Sequence, residues 1–536
     1  MVSLPFLLLI AAAAMFACVG FNRLSGRLGV PALLAFLLLG MAFGSDGILH
    51  IPFDDYVLAE QVCSFALIFI MFYGGFGTNW NAARPVAVPA VLLSSIGVVL
   101  TAFLVGLFCH LVLGFSLLEG LLVGAVLGST DAASVFSILR ARKLALKENT
   151  ASLLELESGS NDPFAYMLTS VLLTAMESSI TPGAILRLLV TQVGLGLLFG
   201  FGIGMLSIRL LRRIHFDTPG FDAVFVVAVA LLAYAAPSVL NGNGYLSVYI
   251  AGILMGNSSI RNKKQLVPFF DGITGMMQML LFFLLGLLCF PSQMPQLLLP
   301  AAAIAVFLTV VARPAAVFVL LAPFRSSLGQ KLLVSWSGLR GAASIVFAVM
   351  AVISPTEVGT GIFHIVFLVV LLSIGLQGTL LPAVARRLQM IDTGEGADVR
   401  KTFTDYTDEA PVQFIEFLVP EHHPWVGQTV RELILPPGTI LVTLRRGTEE
   451  LVPTGSTQLA AGDRLVLCAM APLGENIEFV EKQIHAEDLQ QGCRICDLPR
   501  RRGALIVLVQ RRGKVLIPNG DTELEPGDLL VIHNKE

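Results

Sequence analysis

Along the first 390 positions, apolar residues come in long unbroken runs rather than the short alternations of a half-buried sheet. A helix rises 1.5 Å per residue, so roughly 20 apolar residues cross the ~30 Å hydrocarbon core of a bilayer. Thirteen runs are predicted spans: 4–20, 30–46, 57–77, 85–113, 118–140, 148–176, 183–213, 220–238, 243–257, 265–290, 297–323, 330–352 and 358–387. Runs 30–46 and 243–257 are short for a full crossing. Run 4–20 has the look of a signal peptide but lacks a positive flank at its start, and is read as a retained first helix. Two runs are interrupted by small and polar residues: Gly128-Ser129-Thr130-Asp131-Ala132-Ala133-Ser134 in the fifth, and Ser337-Gly338-Leu339-Arg340-Gly341-Ala342-Ala343-Ser344 in the twelfth. Both are predicted to be discontinuous helices. Breaks in spans 5 and 12 are what an inverted repeat would produce, with spans 1–6 matching 8–13.

Beyond 390 the pattern changes. Residues 391–410 are rich in Asp, Glu, Thr and Gly without apolar periodicity, and read as a linker. Short β-branched strands separated by Gly-containing turns follow, and they repeat. Gly438 through Arg445-Arg446-Gly447 recurs as Gly503 through Arg511-Arg512-Gly513. Leu451-Val452-Pro453-Thr454-Gly455 recurs as Leu516-Ile517-Pro518-Asn519-Gly520, and Ala461-Gly462-Asp463 as Pro526-Gly527-Asp528. The copies are read at an offset of 66 residues across the arginines and 65 beyond them. The expected fold is an all-α polytopic membrane domain over 1–390, then a small α+β cytoplasmic regulatory domain. The latter divides into a first module at 411–475 and a second, shortened one at 476–536.

Charge sharpens this division. Only 14% of the 536 residues are charged and 55% are hydrophobic, against about 25% charged in soluble domains. Residues 1–390 carry 20 Lys+Arg and 15 Asp+Glu, whereas 391–536 carry 15 and 23. Basic residues of the first part fall almost entirely in alternate loops, after odd-numbered spans. That places the N-terminus outside and the tail in the cytoplasm. No basic face stands out, which argues against nucleic-acid binding. Four of the seven cysteines, Cys18, Cys63, Cys109 and Cys289, lie in apolar runs. Cys493 and Cys496 have redox or metal spacing without a second pair, and read as ordinary thiols. No resident cofactor is expected.

The chemistry concentrates in a few intramembrane charges, which are expensive and functional by default. Span 6 reads Glu155-Leu156-Glu157-Ser158-Gly159-Ser160-Asn161-Asp162-Pro163. Ser158 and Asp162 share a helix face, as do Glu157 and Asn161, and Pro163 frees a carbonyl one turn earlier. With Asp131 and Thr130 from the span 5 break, this is an oxygen-rich site for a hard cation, and the Asp162 carboxylate can take a proton instead. Such a single carrier makes exchange one-for-one and moves no net charge. Glu157 needs a cationic partner at that depth, and Arg313 and Arg340 are both candidates. Glu60 and Glu119 lie near outer ends and Asp222 near an inner end, where an interfacial position suffices.

Together these motifs resemble the monovalent cation:proton antiporters of the Asn-Asp branch, specifically NhaP-type bacterial K+/H+ antiporters with a regulatory tail. The matching residues are Thr130-Asp131, Glu157-Ser158 with Asn161-Asp162, Arg313-Pro314 and Gly338-Leu339-Arg340-Gly341. The resemblance implies a thirteen-helix inverted-repeat transporter, usually a homodimer, in which Asp162 carries proton and cation in turn. It implies that Thr130, Asp131 and Ser158 help form the site, with Asn161 beside them, and that Glu157 pairs with Arg313 while Arg340 serves the span 12 break. The match is nearest to members assigned to K+, with Na+ as the alternative. Two positions depart from the pattern: Tyr73 stands where many relatives carry an acid, and Ala343-Ser344 where Val-Pro is more usual.

The tail repeat is similar to the RCK-C (TrkA-C) module of potassium transport regulators, with 420–435 expected to supply an opening helix to the first copy. Such modules dimerise and bind small anionic ligands, nucleotides among them. Arg445, Arg446, Arg511 and Arg512, with the arginines at 500–502, are candidate phosphate contacts, and a solvated surface is the alternative. Because RCK modules also gate channels, a ligand-gated K+ channel is the rival reading. The absence of a Thr-Val-Gly-Tyr-Gly filter and the buried carboxylates weigh against it. No metal motif, nucleophile elbow or phosphate loop points to an enzyme.

Overall fold

A computed structural model describes residues 9, 12–13, 15–20, 32–142, 144–177, 181–214, 218, 220–260, 263–356, 359–392, 412–436, 438–447, 449–470, 479–484, 494–495, 504–511, 514–516 and 518–534. The chain forms two compact units, Met1–Arg400 and Lys401–Glu536.

The first unit is helical. Residues 12–13 and 15–20 are helical, and beyond them the principal helices are α1 (Ala32–Phe43), α2 (Tyr56–Gly77), α3 (Ala87–Ser94), α4 (Ile96–Leu113), α5 (Leu117–Val126), α6 (Ala132–Ala141), α7 (Thr150–Glu177), α8 (Pro182–Arg213) and α9 (Phe221–Val239). They continue as α10 (Gly244–Gly256), α11 (Lys263–Leu287), α12 (Met294–Phe307), α13 (Arg313–Leu321), α14 (Leu328–Trp336), α15 (Ala342–Ile353), α16 (Gly361–Leu372) and α17 (Thr379–Arg387). Among the described residues seven stretches are long and apolar enough to cross a membrane, and α1, α5, α10 and α15 are shorter apolar helices.

Local signals set several of these boundaries. Asp55 caps α2 by accepting from Leu58 N at 2.9 Å. Ser116 and Glu119 close a capping box at the start of α5, and Asn243 caps α10. These side chains take up amide groups that a helix start leaves without partners. Within span 11, α12 passes into α13 through a π-helical segment, Leu308–Ala312, which ends at Arg313. A second π segment, Ser373–Gly378, joins α16 to α17.

The two broken spans decide the architecture. Helix α5 stops at Val126 and α6 starts at Ala132, while α14 stops at Trp336 and α15 starts at Ala342. Ten residues of helix reach only ~15 Å, so neither α5 nor α6 crosses a bilayer alone. Their irregular segments meet in the interior: Asp131 N donates to Leu339 O at 2.8 Å. Gly341 is required there, because a Cβ on it would sit 2.5 Å from the Cβ of Asp131.

The second unit holds two antiparallel four-stranded sheets of identical strand order. With β1 (Val412–Leu418), β2 (Ile440–Arg446), β3 (Glu449–Leu451), β4 (Arg464–Met470), β5 (Phe479–Gln483), β6 (Ala504–Arg511), β7 (Lys514–Leu516) and β8 (Leu529–Asn534), the orders are β1-β4-β2-β3 and β5-β8-β6-β7. Each second strand is bulged, between Leu441 and Thr443 and between Ile506 and Leu508.

Two expectations for the tail change. The copies superimpose at a constant offset of 65: the strands place Arg446, not Arg445, opposite Arg511 in the repeat, because the bulge and the β2–β3 and β6–β7 turns coincide only at that spacing. The second copy has the same four strands, and among the described residues its first, β5, has five residues against seven in β1. The segment 420–435 forms no α-helix. It runs through turns, with Gly427 at φ 84°, and closes a single 3-10 turn, Val430–Glu432, in the Thr429–Glu432 capping box. Pro420 and Pro424 interrupt its start, and Pro436 holds Leu435 extended at its end. Among the described residues the tail contains no α-helix.

Candidate functional site

Helix α7 passes through the first unit beside the span 5 break, and its buried polar face satisfies the backbone that the break leaves open. Ser158 Oγ donates to Thr130 O at 2.6 Å and accepts from Ala132 N at 2.8 Å. Asn161 Oδ1 accepts from Thr130 N at 3.2 Å, while its Nδ2 donates to Thr130 Oγ1 at 2.5 Å. Asn161 is thus used through both ends of its amide. An aspartate there would lose the donor to Thr130 and add a second charge. Ser129 Oγ donates to Asp162 Oδ1, the one side-chain hydrogen bond that Asp162 makes among the described residues. Asp162 is only 6% exposed.

Asp131 sits at the same crossing and is used differently. Its two oxygens accept from Ser134 N at 3.1 Å and from Ser134 Oγ, so it caps α6. Arg340 lies fully buried on the opposite broken segment. Its Nη1 donates to Ser129 O at 2.9 Å, and its backbone N–H donates to Ser373 Oγ at 3.0 Å. Ser373 in turn donates to Gln377 Oε1 at 3.0 Å, within the second π segment. Glu157 and Arg313 form an ion pair at 2.6 Å, with side chains 1% and 5% exposed. The partner left open by the sequence is therefore Arg313. Arg340 instead serves the carbonyl of a break, where a cation complements an open C-terminal helix end.

The structure thus gathers Thr130, Asp131, Glu157, Ser158, Asn161, Asp162, Arg313 and Arg340 at one place. Sequence reasoning passed over Ser129, whose hydroxyl is the donor to Asp162. The available signal was its position in the broken segment, where side chains face the crossing. It also passed over Tyr249, whose ring lies over Gly159, and Asn243, whose Nδ2 donates to Pro163 O at 2.8 Å.

In the tail, two of the candidate arginines are committed internally. Arg446 Nε and Nη2 donate to the two oxygens of Asp463 at 2.8 and 2.7 Å. Arg511 repeats this with Asp528 at 2.8 and 2.8 Å, and adds Glu525 at 2.7 Å. The Arg446 guanidinium holds the Asp463 carboxyl below the usual carboxylate range. Arg445 is exposed on β2. Arg512, the arginines at 500–502, Cys493, Cys496 and most of the linker lie outside the described residues.

A buried acid held beside two crossed, broken helices is the architecture of a membrane ion exchanger. Residues 10–387 match the profile described as "Sodium/hydrogen exchanger, transmembrane", and residues 414–470 and 492–533 match the TrkA-C domain. The chain belongs to the sodium/hydrogen exchanger family and carries TrkA-C modules at its C-terminal end. It is a multi-pass membrane transporter of the cation/proton antiporter type. A K(+)/H(+) antiporter NhaP2 of Shewanella baltica is 35% identical over 453 residues, which is 84% of this chain and 78% of that one. A K(+)/H(+) antiporter NhaP of Alkalimonas amylolytica is 34% identical over 451 residues, with the same coverage. The Na(+)/H(+) antiporter ApNhaP of Aphanothece halophytica is 27% identical over 394 residues, 70% of this chain and 71% of that one. Among solved structures, the sodium proton antiporter MjNhaP1 from Methanocaldococcus jannaschii matches the fold with a TM-score of 0.62. It is 24% identical and covers 71% of this chain and 99% of its own.

Proposed function

We propose that this protein exchanges cytoplasmic K+ for H+ by alternating access, one for one, with Asp162 binding cation and proton in turn. The observation that carries this reading is the incomplete coordination of Asp162: buried, yet given a single side-chain donor among the described residues. A buried carboxylate so placed needs a counter-ion or a proton, and either can leave. Ser129, Thr130 and Ser158 supply oxygens nearby, with Asp131 behind them at the cap of α6.

Electroneutrality follows from the charges of the crossing. Asp131, Glu157 and Asp162 oppose Arg313 and Arg340, which leaves one negative charge when Asp162 is empty. One proton or one monovalent cation makes the group neutral. The loaded site can then pass through a low-dielectric barrier and the empty one cannot, so flux is obligatory exchange. The named relatives of 34–35% identity favour K+, and the Na(+)/H(+) relative at 27% keeps Na+ as the second reading.

The tail is read as the regulator, facing the cytoplasm of the inner membrane, with the protein working as a homodimer through membrane and RCK-C regions. A small anionic ligand such as a nucleotide would fall to Arg445 and Arg512, since Arg446 and Arg511 already have carboxylate partners. Purified protein in liposomes tests the reading, with an imposed pH gradient, a proton dye and clamped voltage. Added K+ should collapse the gradient without voltage dependence. Collapse by Na+ alone would discard the potassium reading, and proton movement seen only under a K+ diffusion potential would indicate a channel.

A further inference from the structure

Helix α10 is held between α2 and α8 at backbone contact. A Cβ on its Gly252 would run into Phe72 O of α2. Cβ atoms on Gly196 and Gly200 of α8 would sit 2.9 and 2.8 Å from Asn243 O and Ser247 O. Small residues of this kind let membrane helices pack backbone to backbone, so α2, α8 and α10 form one frame. Helix α7, which carries Asp162, packs chiefly on α3 and α5. Two contacts from α10 bracket Asp162. On one side the Tyr249 ring lies over Gly159, where a Cβ would be 2.5 Å from Tyr249 Oη. On the other, Asn243 Nδ2 donates to Pro163 O at 2.8 Å.

Asn243 is 1% exposed and fully used. Its backbone N–H donates to Gln192 O of α8 at 3.1 Å, and its Oδ1 accepts from Leu246 N at 3.0 Å as the cap of α10. Because the cap takes the oxygen, the end turned to α7 is the NH2 group, which requires an acceptor. It finds one in the carbonyl that follows Asp162. The bond falls where α7 is weakest, since Pro163 has no N–H to give to Gly159 O one turn earlier.

We propose that Asn243 is a positioning residue for exchange: its side-chain amide latches α7 beside Asp162 to the frame of α2, α8 and α10, and sets the balance between the two access states. This rests on the reading of Asp162 as an alternating-access carrier. A hydrogen bond tolerates only a few tenths of an ångström of sliding. When α7 shifts against the frame the latch opens, while the cap of α10, internal to the frame, stays closed. The latch therefore favours one access state by the worth of one hydrogen bond, about fivefold in population.

The two roles of Asn243 separate by substitution. Asn243→Ser and Asn243→Thr keep a capping hydroxyl but are one bond shorter, too short to reach Pro163 O. Asn243→Ala loses cap and latch together. K+ half-saturation of coupled proton flux is measured on full-length protein in right-side-out and in everted membrane vesicles, with thermal unfolding in detergent alongside. A site open to one side for less of the time binds more weakly from that side. The latch predicts that the ratio of the two half-saturation values shifts about fivefold in all three variants, while only Asn243→Ala unfolds earlier. A parental ratio in the serine and threonine variants would overturn it. So would a loss of rate that follows the unfolding temperature with the ratio unchanged, which marks the cap as the whole role. Asp162→Asn, measured in the same vesicles, separates the two readings. If it retains exchange, the carrier reading falls and takes the latch with it. If it is inactive while the serine and threonine variants keep the parental ratio, only the latch falls.

Discussion

The membrane site and the tail modules both bury aspartates, and use them in opposite ways. Asp463 is completely buried. Its oxygens accept two hydrogen bonds from the fork of Arg446 and one from Ala460 N at 2.8 Å. Asp528 repeats the arrangement with Arg511 and Glu525 N. Asp162, also buried, has Ser129 alone among the described residues. Saturating a buried carboxylate with fixed donors turns it into a structural part, because no ligand can improve on what it already has. Leaving one undersaturated makes it a binding site. The same contrast holds within the membrane unit for Asp131, which is satisfied by Ser134, while the charge of Glu157 is balanced by Arg313.

The largest effect expected from this contrast is at Asp162. Asp162→Asn should fold normally and reduce exchange to the background of empty liposomes, because an amide cannot alternate between proton and cation. Residual K+-coupled flux would break the distinction between the two kinds of aspartate.

Glu157→Gln should act on stability first. It leaves Arg313 charged and unpaired at depth, a loss of ~3–5 kcal/mol for a broken buried pair. Thermal unfolding in detergent reads this, and Glu157→Gln combined with Arg313→Met should recover much of the loss. A single variant as stable as the parent would show that the pair is dispensable.

In the tail, Asp463→Asn removes a charge-assisted bidentate contact of the order of 1.5–3 kcal/mol. It should lower the unfolding temperature of the tail while leaving basal exchange intact. The pH dependence has a definite sign. The folded Asp463 carboxyl titrates below its unfolded value. Its stabilisation is therefore full above roughly pH 4 and fades as pH falls through the folded value. Tail unfolding that is flat from neutral pH to about pH 4 and steep below it would fit. A midpoint near pH 6 would not.

The smallest effect is expected at Ser129→Ala, which removes the lone donor to Asp162. One hydrogen bond is worth about 1 kcal/mol, roughly fivefold in affinity. The pH dependence of exchange should shift modestly, with maximal rate preserved. No shift at all would mean that Ser129 does not tune the carrier.

Much of this was legible along the chain. The apolar runs located the apolar helices, and the clusters of small and polar residues around Asp131 and Arg340 located both breaks, since such residues make poor apolar helix. Ser158, Asn161 and Asp162 were legible because helical spacing places them on adjoining faces of α7. The 420–435 helix failed because prolines and a left-handed Gly427 outweighed a weak apolar pattern. The arginine repeat was misaligned because two adjacent arginines offer two registers, and only the strand bulge and the Asp463 and Asp528 pairings choose between them.

The sequence by itself determined where the long apolar helices lie, where helices break, and which few charges fall within them. Those depend on local composition and on the cost of placing a charge in hydrocarbon. Only the tertiary structure decided which partner each charge takes. Glu157 meets Arg313 rather than Arg340, Asp131 caps its own helix, and Asp162 meets Ser129. The reason is that these partners come from segments far apart in sequence, joined where two broken helices cross, and no periodicity along the chain encodes the distance between them.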